Sequence, residues 1–422
     1  MKALIAGGGI GGMTLALRLH DAGIDVEVFE SVVEIRELGV GINLLPHATR
    51  ELTEIGLLEE IAATAIVTRA LRYHPQYGHH IITEPRGVAA GYKWPQFSIH
   101  RGSLLIILAK AARDRIGADH VHTGHHLDGF SQDAEGVSAR FVHPESGEAV
   151  GEFRGDLLIG ADGIHSRVRE ILYPDEGLPI FSGITMWRGV TEQEPFFDGR
   201  TMIVAGTWNE RMVVYPISEA ARSKGRSLIN WVAEIRDESK VVRKRDNWSR
   251  IGNKADFLPA FADWHFDWLD IPRLIEENDV AYDFPMVDRE PLERWSFGRV
   301  TLLGDAAHPM YPSGSNGGAQ AILDASALTD ILVKADNIED ALIAYQNARM
   351  APTAKVVLSN RDFLAERVLR LVDERCPENC ENIHAFVSQE EMEQFSRDYQ
   401  LIAGFDRASL DAKPSLYTKE RS

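Results

Sequence analysis

The chain has 422 residues, of which 44% are hydrophobic and 26% charged, so it can bury a large core and form two or three domains. Its 45 Lys and Arg residues against 63 Asp and Glu residues give a net charge of −18, which argues against nucleic acid or an anionic membrane as the main partner. No stretch approaches the roughly eighteen apolar residues of a membrane-spanning helix. Two cysteines are too few for a disulfide framework, so we expect a cytoplasmic protein.

The N-terminal segment predicts one strand–turn–helix–strand unit. An apolar run at 3–6 predicts a strand, and apolar residues at helical spacing up to Gly23 predict a helix. A second apolar run at 25–29, closed by Glu30, predicts another strand. This order is typical of a nucleotide-binding domain.

The turn between the first strand and the helix carries a G-x-G-x-x-G motif in Gly7, Gly9 and Gly12. Gly7 permits the sharp turn, Gly9 lets a pyrophosphate approach the backbone, and Gly12 lets the helix lie against the strand. Glu30 is placed to accept hydrogen bonds from a ribose. The motif predicts a dinucleotide but does not separate FAD from NAD.

Later apolar runs indicate how the rest of the chain is organised. Runs at 156–159 and 300–303 predict parallel strands that bring glycine-rich turns to a shared site. Strand-like runs separated by turn residues between 183 and 230 predict an inserted antiparallel sheet. From 338 onward, helical periodicity dominates.

These elements predict an α/β fold: a Rossmann-like FAD-binding domain with an inserted antiparallel substrate sheet and C-terminal helices. We expect a discontinuous FAD-binding domain, a substrate-binding domain and a C-terminal helical region, comprising residues 1–72, 98–180 and 287–345, residues 73–97 and 181–286, and residues 346–422 respectively.

Two further motifs carry a family resemblance. Residues 160–169 (GADGIHSRVR) and 304–309 (GDAAHP) resemble the D-G and G-D motifs of the flavoprotein monooxygenases that hydroxylate aromatic rings. The stretches at 34–43, 98–102, 183–191 and 310–324 resemble the phenazine-modifying branch of that family, whose known member hydroxylates a methylated phenazine carboxylate with loss of the carboxylate.

The resemblance implies FAD as the cofactor and assigns roles to several residues. Asp305 is expected at the ribityl hydroxyls, and Arg101 at the phosphate or ribityl region. Asp162 and Arg169 are expected as a pyrophosphate-side pair, with a structural salt bridge as the alternative. The complete expected set is Gly7, Gly9, Ile10, Gly11, Gly12, Glu30, Arg36, Gly41, Ile42, Arg101, His126, Leu127, Asp162, Arg169, Gly304, Asp305, Gly317 and Gly318.

The resemblance also places Pro312, Asn316 and Gly317 beside the flavin ring, where backbone N–H groups stabilise the reduced flavin. Ala319 stands where family members often have Asn, which leaves only backbone contacts there. In this family NAD(P)H reduces the flavin, O2 forms a C4a-hydroperoxide, and the hydroperoxide hydroxylates an aromatic ring. No catalytic nucleophile and no metal are expected, because the chemistry belongs to the cofactor.

The substrate is expected to be an aromatic or N-heteroaromatic acid or phenol, bound between the flavin and the inserted sheet. Arg188 is a candidate for a two-pronged bond to a substrate carboxylate. Core packing is the alternative for each aromatic candidate. The candidates are Met186, Trp187, Arg188, Tyr215, Trp231, Phe284, Pro285 and Met286.

Other readings of the sequence stay open. A flavin-dependent oxidase or reductase, or a flavin redox sensor without turnover, would share the same cofactor motifs. Cys376 and Cys380 are expected to be free thiols or one local disulfide, without a catalytic role. The chain is expected to be a monomer or a homodimer, and the choice between NADH and NADPH is not predicted.

Overall fold

A computed structural model describes residues 1–37, 39–237, 250–377, 380 and 382–413. Residues 238–249, which belong to the expected substrate-binding domain, and residues 414–422 of the C-terminal region lie outside this description. None of the helices in the described ranges combines the length and apolarity that crossing a bilayer needs.

The strands are, in chain order, β1 (Lys2–Ala6), β2 (Asp25–Glu30), β3 (Gly41–Leu44), β4 (Ile66–Thr68), β5 (Ala70–His74), β6 (Ile82–Pro85), β7 (Gln96–His100), β8 (Val121–Thr123), β9 (His126–Gln132), β10 (Val137–Val142), β11 (Ala149–Gly155), β12 (Leu157–Gly160), β13 (Ile180–Gln193), β14 (Thr201–Gly206), β15 (Glu210–Pro216), β16 (Ser227–Arg236), β17 (His265–Phe266), β18 (Leu269–Asp270), β19 (Tyr282–Asp288) and β20 (Val300–Leu302).

The helices are α1 (Ile10–Asp21), α2 (Pro46–Glu54), α3 (Leu58–Thr64), α4 (Arg101–Ile116), α5 (Arg167–Leu172), α6 (Glu219–Arg222), α7 (Ile271–Glu276), α8 (Gly317–Leu332), α9 (Ile338–Arg361), α10 (Arg367–Arg375), α11 (Gln389–Ala403) and α12 (Arg407–Ala412).

A parallel sheet in the order β20-β12-β1-β2-β8 forms the centre of the nucleotide-binding part. Its strands are apolar on both faces because they are covered by α1 and by the antiparallel strands β9, β10 and β11; Leu4, Leu158 and Val300 are fully buried. Since the strands are parallel, the turns that follow β1, β12 and β20 lie at one edge of the sheet. The three glycine-containing motifs therefore meet there.

A second sheet, in the order β19-β13-β16-β15-β14-β5-β6, is antiparallel apart from the parallel pairing of β14 with β5. It gathers segments from distant parts of the chain, since β5 and β6 precede β13 by about a hundred residues. Strand β7 instead joins a small sheet in the order β3-β7-β4. The mixed architecture confirms the expected α/β fold class with an inserted antiparallel sheet.

Candidate active site

The first glycine turn is built by close backbone packing. Gly7 has a φ of +109°, and a Cβ there would lie 2.3 Å from the Ala161 carbonyl oxygen. A Cβ on Gly12 would lie 2.0 Å from the Gly7 carbonyl oxygen. Around Gly9, by contrast, the described residues place no atom within 4 Å of the Cβ position. The turn thus leaves room beside Gly9, at the uncapped N-terminus of α1, where a phosphate would be stabilised.

Glu30 closes the same turn from β2. One carboxylate oxygen accepts the Gly8 N–H at 2.7 Å, and the other accepts the Val32 N–H at 2.9 Å. The carboxylate is therefore fixed at the end of β2, beside the glycine turn. Glu30 therefore has a structural role in the turn, and its expected contact with the ribose stays a prediction.

Asp162 and Arg169, the expected pyrophosphate-side pair, each bind other partners in the structure, and their contact with a pyrophosphate stays a prediction. Asp162 accepts the backbone N–H groups of Arg167 and Val168 and so holds the start of α5, while burial raises the pKa of its carboxyl. Arg169 is buried, pairs with Glu176 and donates to two carbonyl oxygens within the G-D motif, those of Ala306 and Ala307, both at 3.0 Å. The two side chains therefore have different partners. Arg169 joins the D-G segment to the G-D segment.

The G-D motif places Asp305 close to the start of α8. Its Oδ1 lies 3.9 Å from the Cβ position of Gly317, and the Ile42 side chain lies 3.0 Å from that of Gly318. Desolvation raises the pKa of Asp305, while the charges of His308 and Arg101 lower it. Segments around residues 42, 305 and 317 are thus brought together, as a dinucleotide that spans them requires.

Sequence reasoning missed the residue that holds this motif in place. Asp324, fully buried on α8, accepts the Gly304 N–H at 3.1 Å, a His308 ring nitrogen at 2.5 Å and the Arg349 Nε at 2.6 Å. The charges and hydrogen bonds of His308 and Arg349 outweigh burial and lower its pKa. An aspartate between the apolar residues Leu323 and Ala325 of α8 was the available signal.

Of three other expected cofactor residues, two are exposed to solvent and one is buried in the hydrophobic core. Arg36 is exposed and pairs with Glu34 at 2.5 Å. His126 is exposed at the start of β9, whereas Leu127 is 3% exposed within the main core. Their contacts with the cofactor stay predictions.

The strand β3 is anchored onto the second sheet at Gly41. The Gly41 N–H donates to the Asn230 Oδ1 at 2.6 Å, and the Gly41 carbonyl oxygen accepts an Arg188 Nη at 2.9 Å. Tyr215 and Asn230 fill the space beside Gly41, which leaves no room for a Cβ. One guanidinium nitrogen of Arg188 therefore holds the strand expected against the flavin, and the expected bond from Arg188 to a substrate carboxylate stays a prediction.

Side chains alternate across the second sheet, so consecutive residues face opposite sides. Met186 pairs with Phe284, and Arg188 with Tyr282, on the face that carries the Gly41 contact; we call this the site face. Among the substrate candidates, the site face carries Met186, Arg188, Tyr215, Phe284 and Met286.

The other face carries Trp187, Trp231 and Pro285, so these three residues do not share the site face with Arg188. Trp187 stacks on Phe257 at 4.9 Å between ring centroids, and the Trp231 Nε1 donates to the Thr191 Oγ1 at 3.0 Å. Both rings belong to a separate hydrophobic core, to which apolar residues between 257 and 281 also contribute. Core packing, the alternative weighed above, describes them.

The site face also carries residues that the sequence analysis missed. Arg211 pairs with Glu234 at 2.5 Å, and its guanidinium lies 5.2 Å from the Phe363 ring centroid. Phe363 stacks on Tyr311 at 6.0 Å and meets Trp208 edge-on at 5.5 Å. The period-2 alternation along β15 would have placed Arg211 on the same face as Tyr215, but nothing local would have brought Phe363 there.

The loop before α8 completes the site. Gly314 and Ser315 both have positive φ values, +63° and +59°, and α8 starts at Gly317 without a side-chain cap. Asn316 is fully buried, and its Nδ2 donates to the Gly314 carbonyl oxygen at 3.1 Å. The uncapped amides of α8 thus lie next to Asp305 and Ile42, which fits the pyrimidine edge of a flavin.

Comparisons with known proteins agree with this geometry. A family model described as FAD binding domain matches residues 1–360. The phenazine 1,6-dicarboxylic acid hydroxylase of Lysobacter antibioticus is 47% identical over 369 residues, covering 87% of this chain and 91% of the relative. The 3-hydroxybenzoate 6-hydroxylase of Polaromonas naphthalenivorans is 30% identical, covering 88% and 90%.

Solved structures share the fold. HpxO from Klebsiella pneumoniae, solved with FAD and uric acid, superposes with a TM-score of 0.74 at 24% identity and covers 98% of this chain and 97% of its own. A salicylate hydroxylase substrate complex gives a TM-score of 0.74 at 22% identity and covers 99% of each chain. The expected cofactor FAD, with NAD(P)H and O2 as co-substrates, is supported. The chain belongs to the FAD-binding-domain family of flavoprotein monooxygenases that hydroxylate aromatic rings.

Proposed function

We propose that this enzyme hydroxylates a planar N-heteroaromatic acid of the phenazine carboxylate type. The observation that carries the proposal is the site face itself, where apolar and aromatic side chains lie on the same face as Arg188 and the buried Arg211. Flat apolar walls suit fused rings, and arginine suits a carboxylate. The relative at 47% identity, named a phenazine dicarboxylic acid hydroxylase, supports the same substrate class.

We propose these roles for the chain's residues. Gly9 and the start of α1 bind the pyrophosphate, Glu30 the ribose, and Asp305 the ribityl chain. FAD, when bound, supplies oxygen activation with electrons from NAD(P)H. Arg188 and Asn230 hold Gly41 and Ile42 against the flavin. The site face orients the substrate ring and excludes water.

We also propose the domain division expected from the sequence, with β5 and β6 as part of the substrate-binding domain. The net charge of −18 and the two free thiols support a cytoplasmic enzyme acting on a small molecule rather than on nucleic acid. Light scattering on the purified protein would distinguish a monomer from a homodimer.

The substrate class is tested by ligand-stimulated NAD(P)H oxidation, with products identified by mass spectrometry and peroxide measured in parallel. We expect phenazine carboxylic acids to stimulate oxidation and to give a hydroxylated product, with or without loss of the carboxylate. Stimulation by single-ring acids alone would contradict the substrate class. Stimulation with peroxide as the only product would show that the ligand is not a true substrate.

The cofactor assignment is tested by Asp305→Ala. We expect FAD binding to weaken by tenfold or more, because a hydrogen bond to a charged group contributes about 1.5–3 kcal/mol. Titration of the apoprotein with FAD measures the change. Asp114→Ala, which removes an exposed carboxylate on α4, is the control and should bind FAD like the wild type. Equal FAD affinity in both variants would remove the proposed role of Asp305.

A further inference from the structure

The loop at residues 311–316, which we call the flavin loop, is held by the C-terminal region at several points. The Asn360 Nδ2 donates to the Tyr311 carbonyl oxygen at 2.9 Å. The Tyr399 hydroxyl lies 3.1 Å from the Ser313 carbonyl oxygen and accepts the Asn316 Nδ2 at 2.9 Å. The loop that precedes the flavin-facing helix is therefore fixed from α9 and α11.

A further contact between the C-terminal region and the flavin loop involves a carboxylate. Glu366, just before α10, accepts the Ser313 hydroxyl at 2.5 Å and the backbone N–H of Gly314. Desolvation raises the pKa of Glu366, while the neighbouring charge of Arg211 lowers it. The carboxylate thus lies between the flavin loop and the buried arginine of the site face.

The loop needs such support because its backbone is strained. Ser315 has a φ of +59°, which costs on the order of 1 kcal/mol or more for a residue other than glycine. A Cβ on Gly314 would lie 2.1 Å from the Tyr399 hydroxyl, so the C-terminal region packs directly on the loop. The direction of the first α8 amides depends on this conformation.

We propose that Glu366 is a positioning residue that fixes the flavin loop through Ser313 and so aims the amides of Gly317 and Gly318 at the flavin. This inference rests on the proposed function, because it gives the C-terminal region a part in the same site. Glu366 does not contact the reacting atoms. Its effect passes through one hydroxyl and one backbone amide, and each can be tested.

The experiment compares Glu366→Ala with Glu366→Gln, which keeps the side-chain length and an acceptor oxygen. In the apoprotein, hydrogen exchange of the loop peptide should become about tenfold faster in Glu366→Ala, because the charge-assisted bond from the Ser313 hydroxyl is lost. In Glu366→Gln it should change less than about threefold, because the amide oxygen still accepts that hydroxyl. Titration should show FAD binding weakened by a similar factor in Glu366→Ala, with a shifted flavin absorption spectrum. Loop exchange equal to that of the wild type in Glu366→Ala would overturn the proposal.

The route through Ser313 is tested by a double-mutant cycle. If Glu366 acts through that hydroxyl, adding Ser313→Ala to Glu366→Ala should change loop exchange little further. Fully additive effects would refute this route. Leu369→Ala, which removes a buried side chain of α10 away from the loop, is the control for general loss of stability. It should lower the melting temperature without changing the flavin spectrum, and an equal spectral shift in this control would mean that Glu366 is merely structural.

These readouts separate the two proposals. Loop exchange is measured without FAD or substrate, so it tests Glu366 even if the enzyme acts on another ring. A wild-type protein that hydroxylates no phenazine acid contradicts the substrate class but not the positioning role.

Discussion

Two glycines of the first turn, three positions apart, differ in what a methyl group would meet. At Gly9 the described structure leaves the Cβ position open, whereas at Gly12 a Cβ would overlap the Gly7 carbonyl oxygen at 2.0 Å. A side chain at position 9 would therefore collide only with a bound ligand, whereas a side chain at position 12 would collide with the protein backbone. A motif match alone treats both as equivalent, so the distinction needs the structure.

We therefore expect Gly9→Ala to fold normally, with a melting temperature within about 2 °C of the wild type, yet to lose FAD affinity by tenfold or more. Gly12→Ala should lower the melting temperature of the apoprotein strongly, because backbone atoms must move. Thermal unfolding and FAD titration of the two apoproteins measure both effects. Tight FAD binding by Gly9→Ala would contradict the placement of the pyrophosphate.

At the scale of elements, the inserted sheet shows where sequence reasoning stops. The sequence predicted strands in this region, but β13 and β16 carry apolar side chains on both faces because each face packs against other structure. A strand with apolar side chains on both faces shows no clear alternation that marks the ligand side. Trp187 and Met186 are neighbours in sequence, and only the pairing with β19 shows which of them faces the site.

Aromatic residues on the two faces should therefore respond differently to mutation. Phe284→Ala, on the site face, should raise the KM for the aromatic substrate by about tenfold, because an aromatic contact and its buried area are lost. Trp231→Phe, on the other face, removes the bond to Thr191 and should cost about 1 kcal/mol of stability with KM unchanged. Steady-state kinetics and urea unfolding test the pair. The reverse pattern would mean that the site face is assigned wrongly.

For the whole molecule, the cofactor motifs were predictable because each is a short turn whose function depends on local geometry. The contribution of the C-terminal region was not, because Asn360, Glu366 and Tyr399 reach the flavin loop from residues that carry no motif. Arg169 shows a related limit: its position in the D-G motif was clear, but two of its partners, the carbonyl oxygens of Ala306 and Ala307, lie more than a hundred residues away. Long-range contacts of single side chains leave no local signal.

The buried histidine of α2 makes the stability of the whole protein depend on pH. His47 is fully buried against Phe405, and desolvation lowers its pKa from 6.5 to about 3, with the charges of Lys413 and Arg349 acting in the same direction. Below pH 6.5 the unfolded chain takes up a proton that the folded protein refuses, so stability is lost as the pH falls from 6.5 toward 3.

His47→Phe should remove this dependence. Between pH 7 and pH 5, the wild type should lose about 2 kcal/mol more free energy of unfolding than the variant does, because only the wild type carries this shifted group. Urea unfolding at the two pH values measures the difference. Parallel losses in both proteins would show that His47 is not responsible.

The strand order of the parallel sheet also has a consequence for biosynthesis. Strand β20 is the neighbour of β12, but residues 161–299 lie between them in the chain, so the ribosome delivers β20 long after β12. Throughout that interval the nascent chain presents a bare, apolar strand edge, the kind of surface that pairs with other chains. Translation must pass Leu302 before this edge is covered. Until then, rapid translation or a bound chaperone would keep the edge from pairing with other chains.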